Sequence, residues 1–339
     1  MASIIESVIT WGFACFYGSL VAIRTLFRII IHPVNSLTVK RRDTAPKCLN
    51  DPSLGDHRYL RTKELKIHYV ANGDTNKPLM LLVHGFPEFW YSWRYQMKEF
   101  SNDYRVVAID MRGYGDSDKP SGIAPYTIDY LTGDLRDAIP ALGYSSCVLV
   151  AHDWGAAVAW QFAMEYPVLV DKLIIMNGPH PKRMQKLIQS SRKQFFMSWY
   201  MFFFQLPYLP EFVLSMSDYN GIKAMFHGRG VGLRNRDNIT ADDLEAFKHN
   251  CQREGALTAM INYYRAALRY TPKLKSAVIT SPTLLIWGEE DTALDIALTE
   301  GLEKYVHDIN VKLIPGASHW VQQDQPELVN EAMYDFLQG

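Results

Sequence analysis

The feature of the sequence that most restricts its fold is the alternation of short apolar runs with helical segments. Strand-like runs occur at Glu64–Val70, Leu79–Val83, Arg105–Ile109, Ser146–Val150, Lys172–Met176, Thr283–Trp287 and Asn310–Ile314. Several are continuous stretches of leucine and β-branched residues, which is typical of strands buried on both faces. Helical patterns lie between them, at Ile128–Leu142, Ala156–Glu165 and Pro326–Leu337. This alternation predicts an α/β fold, with a mostly parallel sheet flanked by helices.

The alternation is interrupted between residues 178 and 281, where only helical patterns occur. The strand pattern resumes at Thr283, so we expect a helical lid inserted into one sheet domain, with a second independent domain as the alternative. The predicted organisation is a membrane anchor (1–34), a linker (35–56), an α/β core (57–177 and 282–339) and the lid (178–281).

The N-terminal segment is strongly apolar. It has no charged residue from Ser7 to Ile23, and the apolar character continues past Arg24 and Arg28 to Ile31. This length is close to the ~20 residues that a membrane-spanning helix needs. We therefore expect a single-pass membrane anchor, with a cleaved signal peptide or an amphipathic surface helix as alternatives.

The charges around this segment predict its orientation. Basic residues follow it, at Arg24, Arg28 and Lys40–Arg42, whereas only Glu6 precedes it. The positive-inside bias then places the catalytic part in the cytosol, and we expect the membrane to be that of the endoplasmic reticulum. The tripeptide Asn238-Ile239-Thr240 is a glycosylation sequon that is usable only in the lumen, so a lumenal orientation stays open.

Charge and cysteine content argue against several other classes of protein. A net charge of −1 gives no electrostatic basis for binding nucleic acid. The cysteines contain no C-x-x-C pair, so we predict neither a zinc site nor a disulfide framework. They are Cys15, Cys48, Cys147 and Cys251.

The segment Ala151–Ala157 has the pattern of a nucleophile elbow, because a strand runs into a helix through a tight turn of small residues. Hydrolases with this turn usually carry serine at its apex, whereas this chain carries Asp153. Another loop, Val83–Pro87, follows a buried strand, and its backbone N–H groups lie where an oxyanion hole would be built.

Two further segments follow the last two predicted strands, Gly288–Asp291 and Gly316–Trp320. The chain order Asp153, Asp291, His319 is the nucleophile–acid–histidine order of an α/β-hydrolase triad. Singly, each aspartate is compatible with a helix cap and the histidine with an exposed loop. Their joint occurrence, in order and each just past a strand, favours the triad.

These motifs resemble those of a known family. The segments are HGFPE (His84–Glu88), RGYGDSDKP (Arg112–Pro120), AHDWGAA (Ala151–Ala157), GEED (Gly288–Asp291) and GASHW (Gly316–Trp320). They look like the α/β-hydrolase-fold epoxide hydrolases, and the apolar N-terminus is similar to the membrane-anchored subgroup, epoxide hydrolases 3 and 4. The Gly-rich RGYGDSD loop lacks the Lys-Ser/Thr ending of a phosphate loop, so a structural role is favoured for it.

The resemblance implies hydrolysis of an epoxide to a vicinal diol, with water as the second substrate. Asp153 would attack as a carboxylate, which is ionised at neutral pH because its reference pKa is ~3.9. The N–H groups of Phe86 and Trp154 would form the oxyanion hole, His319 would activate water, and Asp291 would orient the histidine. We expect no metal and no organic cofactor.

The leaving group distinguishes epoxide hydrolysis from its alternatives. Epoxide hydrolases use two lid tyrosines as donors to the epoxide oxygen, and the resemblance matches them at Tyr200 and Tyr264. Tyr263 is adjacent, so it stays open as the second donor. A haloalkane or haloacid dehalogenase would use the same aspartate, although Phe86 stands where haloalkane dehalogenases often place a halide-binding asparagine. A non-catalytic α/β-hydrolase-fold binding protein is the second alternative.

An aromatic run, Phe195–Pro210, lies within the predicted lid. It is compatible with packing of the lid against the core, with an apolar substrate tunnel, or with contact between the lid and a membrane. The last two interpretations favour apolar, lipid-like epoxides.

Overall fold

The computed structural model describes residues 4–270 and 278–339. Its centre is one eight-stranded sheet with the strand order β1-β2-β4-β3-β5-β6-β7-β8. The strands are β1 (Asp56–Arg61), β2 (Lys66–Asn72), β3 (Leu79–Val83), β4 (Arg105–Ile109), β5 (Cys147–His152), β6 (Val170–Met176), β7 (Thr283–Gly288) and β8 (Ile309–Ile314). Pairs β1–β2 and β2–β4 are antiparallel and all others are parallel. The mostly parallel sheet predicted from the sequence is confirmed.

Helices occupy both faces of the sheet and the segment between β6 and β7. They are α1 (Ile4–Ile31), α2 (Pro33–Leu37), α3 (Arg94–Phe100), α4 (Ile128–Ala141), α5 (Trp154–Glu165), α6 (Pro181–Ser190), α7 (Arg192–Met197), α8 (Trp199–Phe203), α9 (Leu209–His227), α10 (Ala241–Gln252), α11 (Ala256–Arg269), α12 (Val321–Asp324) and α13 (Pro326–Gln338). We call α6–α11 the lid. Helices α3, α4, α5 and α13 contact the strands.

The apolar core lies between the central strands and the helices that cover them. Every residue of β3, β4, β5 and β7 is buried. Both faces of these strands therefore meet apolar side chains, which explains why their sequences lack alternating polar residues. Because these parallel strands run in the same direction, their carboxyl ends meet at one edge, where α/β proteins build their sites.

The first strand, β1, was not predicted from the sequence. It pairs only with β2 at the edge of the sheet, and of its side chains only Leu60 is buried. An edge strand exposed on both faces carries no apolar run, so the pattern that indicated the other strands is absent from it. The first predicted strand, Glu64–Val70, is observed as β2.

The N-terminal helix α1 contains a stretch, Ser7–Ile31, that is long and apolar enough to cross a membrane or to serve as a signal sequence. The first three residues of the predicted anchor, and residues 271–277 of the predicted lid, lie outside the described residues. The boundaries of anchor, linker, core and lid remain predictions.

Candidate active site

Asp153 occupies the turn that joins β5 to α5. Its backbone angles, φ 50° and ψ −115°, are unusual for a residue with a side chain and are typical of a strained nucleophile elbow. The turn also needs close packing against the loop after β3. A Cβ atom on Gly155 would lie 2.2 Å from the carbonyl oxygen of Val83, so only glycine fits there.

The two oxygens of the Asp153 carboxylate have different surroundings. The Phe86 N–H donates to Oδ1 at 2.8 Å, whereas Oδ2 lies 3.5 Å from Nε2 of His319. Burial acts to raise the pKa of Asp153, but the hydrogen bond and positive charge of His319, with smaller effects from His152 and the Phe86 N–H, outweigh it. The pKa therefore lies below its ordinary value, and the group is an anion at neutral pH.

Gly85 allows the oxyanion loop to approach the carboxylate. A Cβ atom at this position would lie 2.5 Å from the Cβ of Asp153 and 2.7 Å from its Oδ1. Any side chain on residue 85 would therefore push apart the Phe86 N–H and the Asp153 oxygen to which it donates.

Asp291, in the loop after β7, holds the other side of the histidine ring. Nδ1 of His319 lies 2.8 Å from Oδ2 of Asp291. Oδ1 accepts the N–H groups of Ala293 at 2.7 Å and Leu294 at 3.0 Å. The carboxylate is therefore fixed by backbone donors and in turn fixes the ring.

Asn177 is a member of this site for which the sequence predicted no role. It directly follows β6, and its Nδ2 donates to Oδ2 of Asp291 at 2.7 Å. Its Oδ1 accepts the N–H of Gly288 at 2.9 Å. Its position just past a buried strand, at the same edge as the triad, was the available signal.

The charges around His319 determine its protonation state. Burial acts to lower the pKa of His319, but the negative charges of Asp291 and Asp153 and their hydrogen bonds raise it to about 10. At neutral pH the ring is therefore an imidazolium between two carboxylates.

Two fully buried side chains beneath the site, Glu88 and His152, join three loops. Oε2 of Glu88 lies 2.7 Å from Nδ1 of His152 and accepts the Gly85 N–H at 3.0 Å. Nε2 of His152 lies 2.8 Å from the carbonyl oxygen of His319. The sequence motifs contained both residues, but no role was predicted for either. An acidic residue between Pro87 and the aromatic residues that follow it was the available signal.

A cavity of about 300 Å³ opens in front of the Asp153 carboxylate. Asp153, His319, Tyr200 and Tyr264 contribute its polar groups together with Thr292. The remaining lining is apolar and consists of Phe86, Met197, Trp199, Phe204, Met225, Val231, Ala293 and Trp320.

The two tyrosines predicted as donors lie together on this cavity, with ring centroids 5.8 Å apart. Burial and the negative charge of Asp153 raise the pKa of Tyr200 and that of Tyr264, so both phenols keep their protons. Tyr263 faces elsewhere, because its hydroxyl donates to the carbonyl oxygen of Arg112 at 2.8 Å. The other predicted N–H, that of Trp154, belongs to the first residue of α5 and so has no acceptor within the helix.

Comparison with known proteins identifies the family. The family model described as alpha/beta hydrolase fold matches residues 78–326. Human epoxide hydrolase 4 (Homo sapiens) is 43 % identical over 342 residues, which cover 98 % of this chain and 94 % of that protein. Epoxide hydrolase 3 of Xenopus tropicalis is 45 % identical over 309 residues, covering 90 % and 84 % of the two chains. The chain belongs to the α/β-hydrolase-fold epoxide hydrolases.

A solved structure of an epoxide hydrolase from Bacillus megaterium, in complex with an inhibitor, is similar to this chain in overall fold. It superposes with a TM-score of 0.77 at 37 % identity and covers 83 % of this chain and 100 % of that chain. Among residues 4–270 and 278–339 of this family member, no three His, Cys, Asp or Glu side chains are grouped as a metal ion would require.

Proposed function

We propose that the protein hydrolyses epoxides to vicinal diols in two steps, through an ester formed on Asp153. One observation carries the proposal. The carboxylate is held by the Phe86 N–H on one oxygen, its other oxygen faces His319, and Asp153 and His319 line a cavity that Tyr200 and Tyr264 also line. A preformed anion of this kind attacks a saturated carbon without needing a base.

In the first step Oδ2 of Asp153 is the attacking atom, because Oδ1 is engaged by the Phe86 N–H. A bond forms between Oδ2 and an epoxide carbon while the bond from that carbon to the epoxide oxygen breaks. Tyr200 and Tyr264 donate hydrogen bonds to this oxygen, and one of them supplies its proton. The alkyl ester is neutral, and the imidazolium of His319 returns a proton to the phenolate.

Formation of the ester prepares His319 for the second step. The negative charge of Asp153 and its hydrogen bond are two of the influences that raise the pKa of His319, and the ester removes both. The pKa of the histidine then falls, and the neutral ring becomes the general base. Asp291 remains on Nδ1 and keeps Nε2 directed toward the cavity.

In the second step His319 takes a proton from water, and the water oxygen bonds to the carbonyl carbon of the ester. Charge develops on Oδ1, where the N–H groups of Phe86 and Trp154 stabilise it. The bond from the carbonyl carbon to the diol oxygen then breaks, the imidazolium of His319 gives its proton to that oxygen, and His319 takes the second proton of the water from the newly formed carboxyl group of Asp153. The carboxylate, the imidazolium and both phenols are restored.

The oxygen balance provides the test. In one turnover in heavy-oxygen water, the label should enter Asp153 and the diol should remain unlabelled. Heavy oxygen in the diol at the first turnover would show direct attack of water on the epoxide. Product analysis separates the alternatives: an epoxide gives a diol, whereas a dehalogenase releases halide from an alkyl halide, and a binding protein gives neither product.

The cavity supports apolar, lipid-like epoxides as the substrate class. Apart from Asp153, His319, the two tyrosines and Thr292, its lining is apolar. Burial of apolar substrate surface against this lining stabilises the complex by roughly 25 cal/mol per Å². A screen of fatty-acid, terpenoid and aryl epoxides should therefore give the highest kcat/KM for the first two classes, and a preference for small polar epoxides would contradict this assignment.

We further propose that α1 attaches the protein to the endoplasmic reticulum membrane, with the catalytic part in the cytosol. The single-pass arrangement expected from the sequence is one form of this attachment. Both side chains of the sequon have structural partners that support the cytosolic side. Asn238 donates to the carbonyl oxygen of Asp324 at 3.0 Å, and Thr240 caps α10 by accepting the Asp243 N–H. Endoglycosidase treatment of the protein from cells should leave its electrophoretic mobility unchanged.

A further inference from the structure

One face of α1 packs against the lid along the middle of the helix. Ala14, Gly18 and Thr25 are buried, and their spacing places them on a single stripe. Gly18 contacts Leu206 so closely that an added Cβ atom would lie 2.2 Å from the leucine Cδ1. Small residues therefore allow the helix to lie flat against the lid.

Aromatic contacts extend this interface on one side of the stripe. The ring of Phe13 lies 5.1 Å from that of Phe195 and 5.3 Å from that of Phe202, between centroids. The ring of Tyr17 lies 5.9 Å from that of Trp199. Helix α1 thus contacts the two lid helices that carry the aromatic run, α7 and α8.

The segment that follows α1 is fixed to the lid as well. The Asp218 N–H donates to the carbonyl oxygen of Thr38, and the Arg42 side chain, only 4 % exposed, binds the carboxylates of Asp218 at 2.7 Å and Glu245 at 2.9 Å. Burial acts to raise the pKa of Asp218, but the hydrogen bonds from Arg42, Lys40 and Lys248 and the charge of Arg42 lower it to about 2. Both α1 and the chain after it therefore belong to the lid surface.

The opposite face of α1 is exposed and entirely apolar. The residues at this face are spaced by four and three, and each is between 53 % and 70 % exposed; they are Phe16, Leu20, Ile23, Phe27 and Ile30. We call them the outer stripe. An uninterrupted exposed apolar surface of this length marks a site of interaction.

The two arginines of α1 lie away from the outer stripe. Around the helix axis, Arg24 and Arg28 lie on the same side as Tyr17 and Val21. This side is roughly 100° from the centre of the outer stripe, toward the lid. A helix with one apolar face and basic residues at the flank matches a bilayer surface, where the apolar face enters the acyl region and the cations meet anionic headgroups.

We infer that α1 lies along the membrane surface with its outer stripe in the leaflet, and that α1 and the lid form one membrane-binding surface. A helix that crosses the bilayer alone is surrounded by lipid at its middle, whereas here one face of the middle of α1 packs against the lid. A second copy of the chain is the other possible cover for the outer stripe.

This arrangement joins the membrane to the cavity, and this part of the inference rests on the proposed epoxide hydrolysis. Trp199 contacts Tyr17 of α1 and also lines the cavity that contains Asp153. The neighbouring Phe196 is exposed beside it. Apolar epoxides dissolved in the leaflet can then enter the cavity at Trp199 without passing through water.

Label depth in vesicles tests the inference independently of activity. Full-length protein with Cys15 and Cys48 replaced by serine would carry a spin label at Leu20→Cys or Ile30→Cys, bound to phosphatidylcholine–phosphatidylserine vesicles. The helix in the membrane plane places both labels at equal depth. A crossing helix separates them by about 15 Å and would overturn the inference. Labels shielded from lipid in a dimer would also overturn it.

A charge on the outer stripe tests the functional consequence. Ile23→Asp should weaken vesicle binding by about tenfold or more, because it replaces an exposed aliphatic side chain that would enter the leaflet with a charged one. Val168→Asp is the matched control, since Val168 is also an exposed apolar residue but lies in the α/β part of the protein, outside α1 and the lid. The Ile23 variant should hydrolyse styrene oxide in solution normally and a vesicle-dissolved long-chain epoxide at least about tenfold more slowly. Equal loss with Val168→Asp, or no loss with Ile23→Asp, would contradict the membrane route. A parent protein inactive on both substrates would contradict the proposed function, while leaving the depth measurement intact.

Discussion

Replacing His319 with glutamine should separate the two chemical steps and trap the ester on Asp153. Glutamine keeps a hydrogen-bond donor for Asp291, which now approaches Nδ1 at 2.8 Å, and leaves the Phe86 N–H on Oδ1 of Asp153. The carboxylate loses its cationic neighbour at 3.5 Å, so its pKa rises. Measured at pH 8, Asp153 is still ionised and still attacks the epoxide.

The second step is affected far more strongly, because it requires proton removal from water. In the first step His319 acts only after the new ester bond has formed, and solvent water can return the proton to the phenolate in its place. Loss of a positioned general base costs about 10²- to 10⁴-fold in rate. Ester formation is then faster than ester hydrolysis, and the ester should accumulate to about one per active site.

Intact-protein mass spectrometry measures the trapped species after incubation with styrene oxide. The expected result is a mass gain of one epoxide, located by digestion on the peptide that contains Asp153. The double variant Asp153→Ala, His319→Gln should show no gain. If His319→Gln unfolds at the temperature of the parent protein, is inactive and carries no adduct, then His319 serves the first step or Asp153 is not the nucleophile.

Three further predictions concern the remaining parts of the site. Tyr200→Phe and Tyr264→Phe should each slow single-turnover ester formation by about 10²-fold, because each removes a donor to the epoxide oxygen. Tyr263→Phe should leave that rate unchanged and lower the free energy of unfolding by ~1 kcal/mol, measured by denaturant titration, because it loses only the bond to Arg112. Gly85→Ala should lower both kcat and Tm, because its Cβ collides with Asp153; unchanged kcat would refute the need for this close approach. The raised pKa of His319 stabilises the folded protein fully below pH 6.5, and this contribution should disappear between pH 6.5 and about 10; the same slope in His319→Gln would assign it to another group.

Local patterns in the chain were sufficient for the seven predicted strands and for the order of the candidate triad, whereas the roles of the two tyrosines came from the resemblance to epoxide hydrolases. Strands buried on both faces have continuous apolar sequences, and a tight strand–helix turn requires small residues around its apex. The central strands and the elbow at Asp153 could therefore be predicted. The edge strand β1 could not, because its exposed residues leave no apolar run.

Other features depend on contacts between residues far apart in the chain, and no local pattern encodes these. The bond from Asn177 to Asp291 joins two strand ends that only the sheet brings together. The Glu88–His152 pair likewise links loops 64 residues apart.

The adjacent tyrosines show the same division most clearly. Neighbouring residues of a helix point in directions about 100° apart, so sequence alone could not separate Tyr263 from Tyr264. The packing of α11 directs one hydroxyl to Arg112 and places the other residue on the cavity. Similarly, the apolar sequence of α1 predicted a membrane helix, but the face that we propose for lipid contact depends on which stripe the lid covers. The sequence by itself determines which chemical groups are available and which elements carry them. Long-range packing determines which of these groups face the cavity, because the direction of a side chain depends on how its helix or loop is packed.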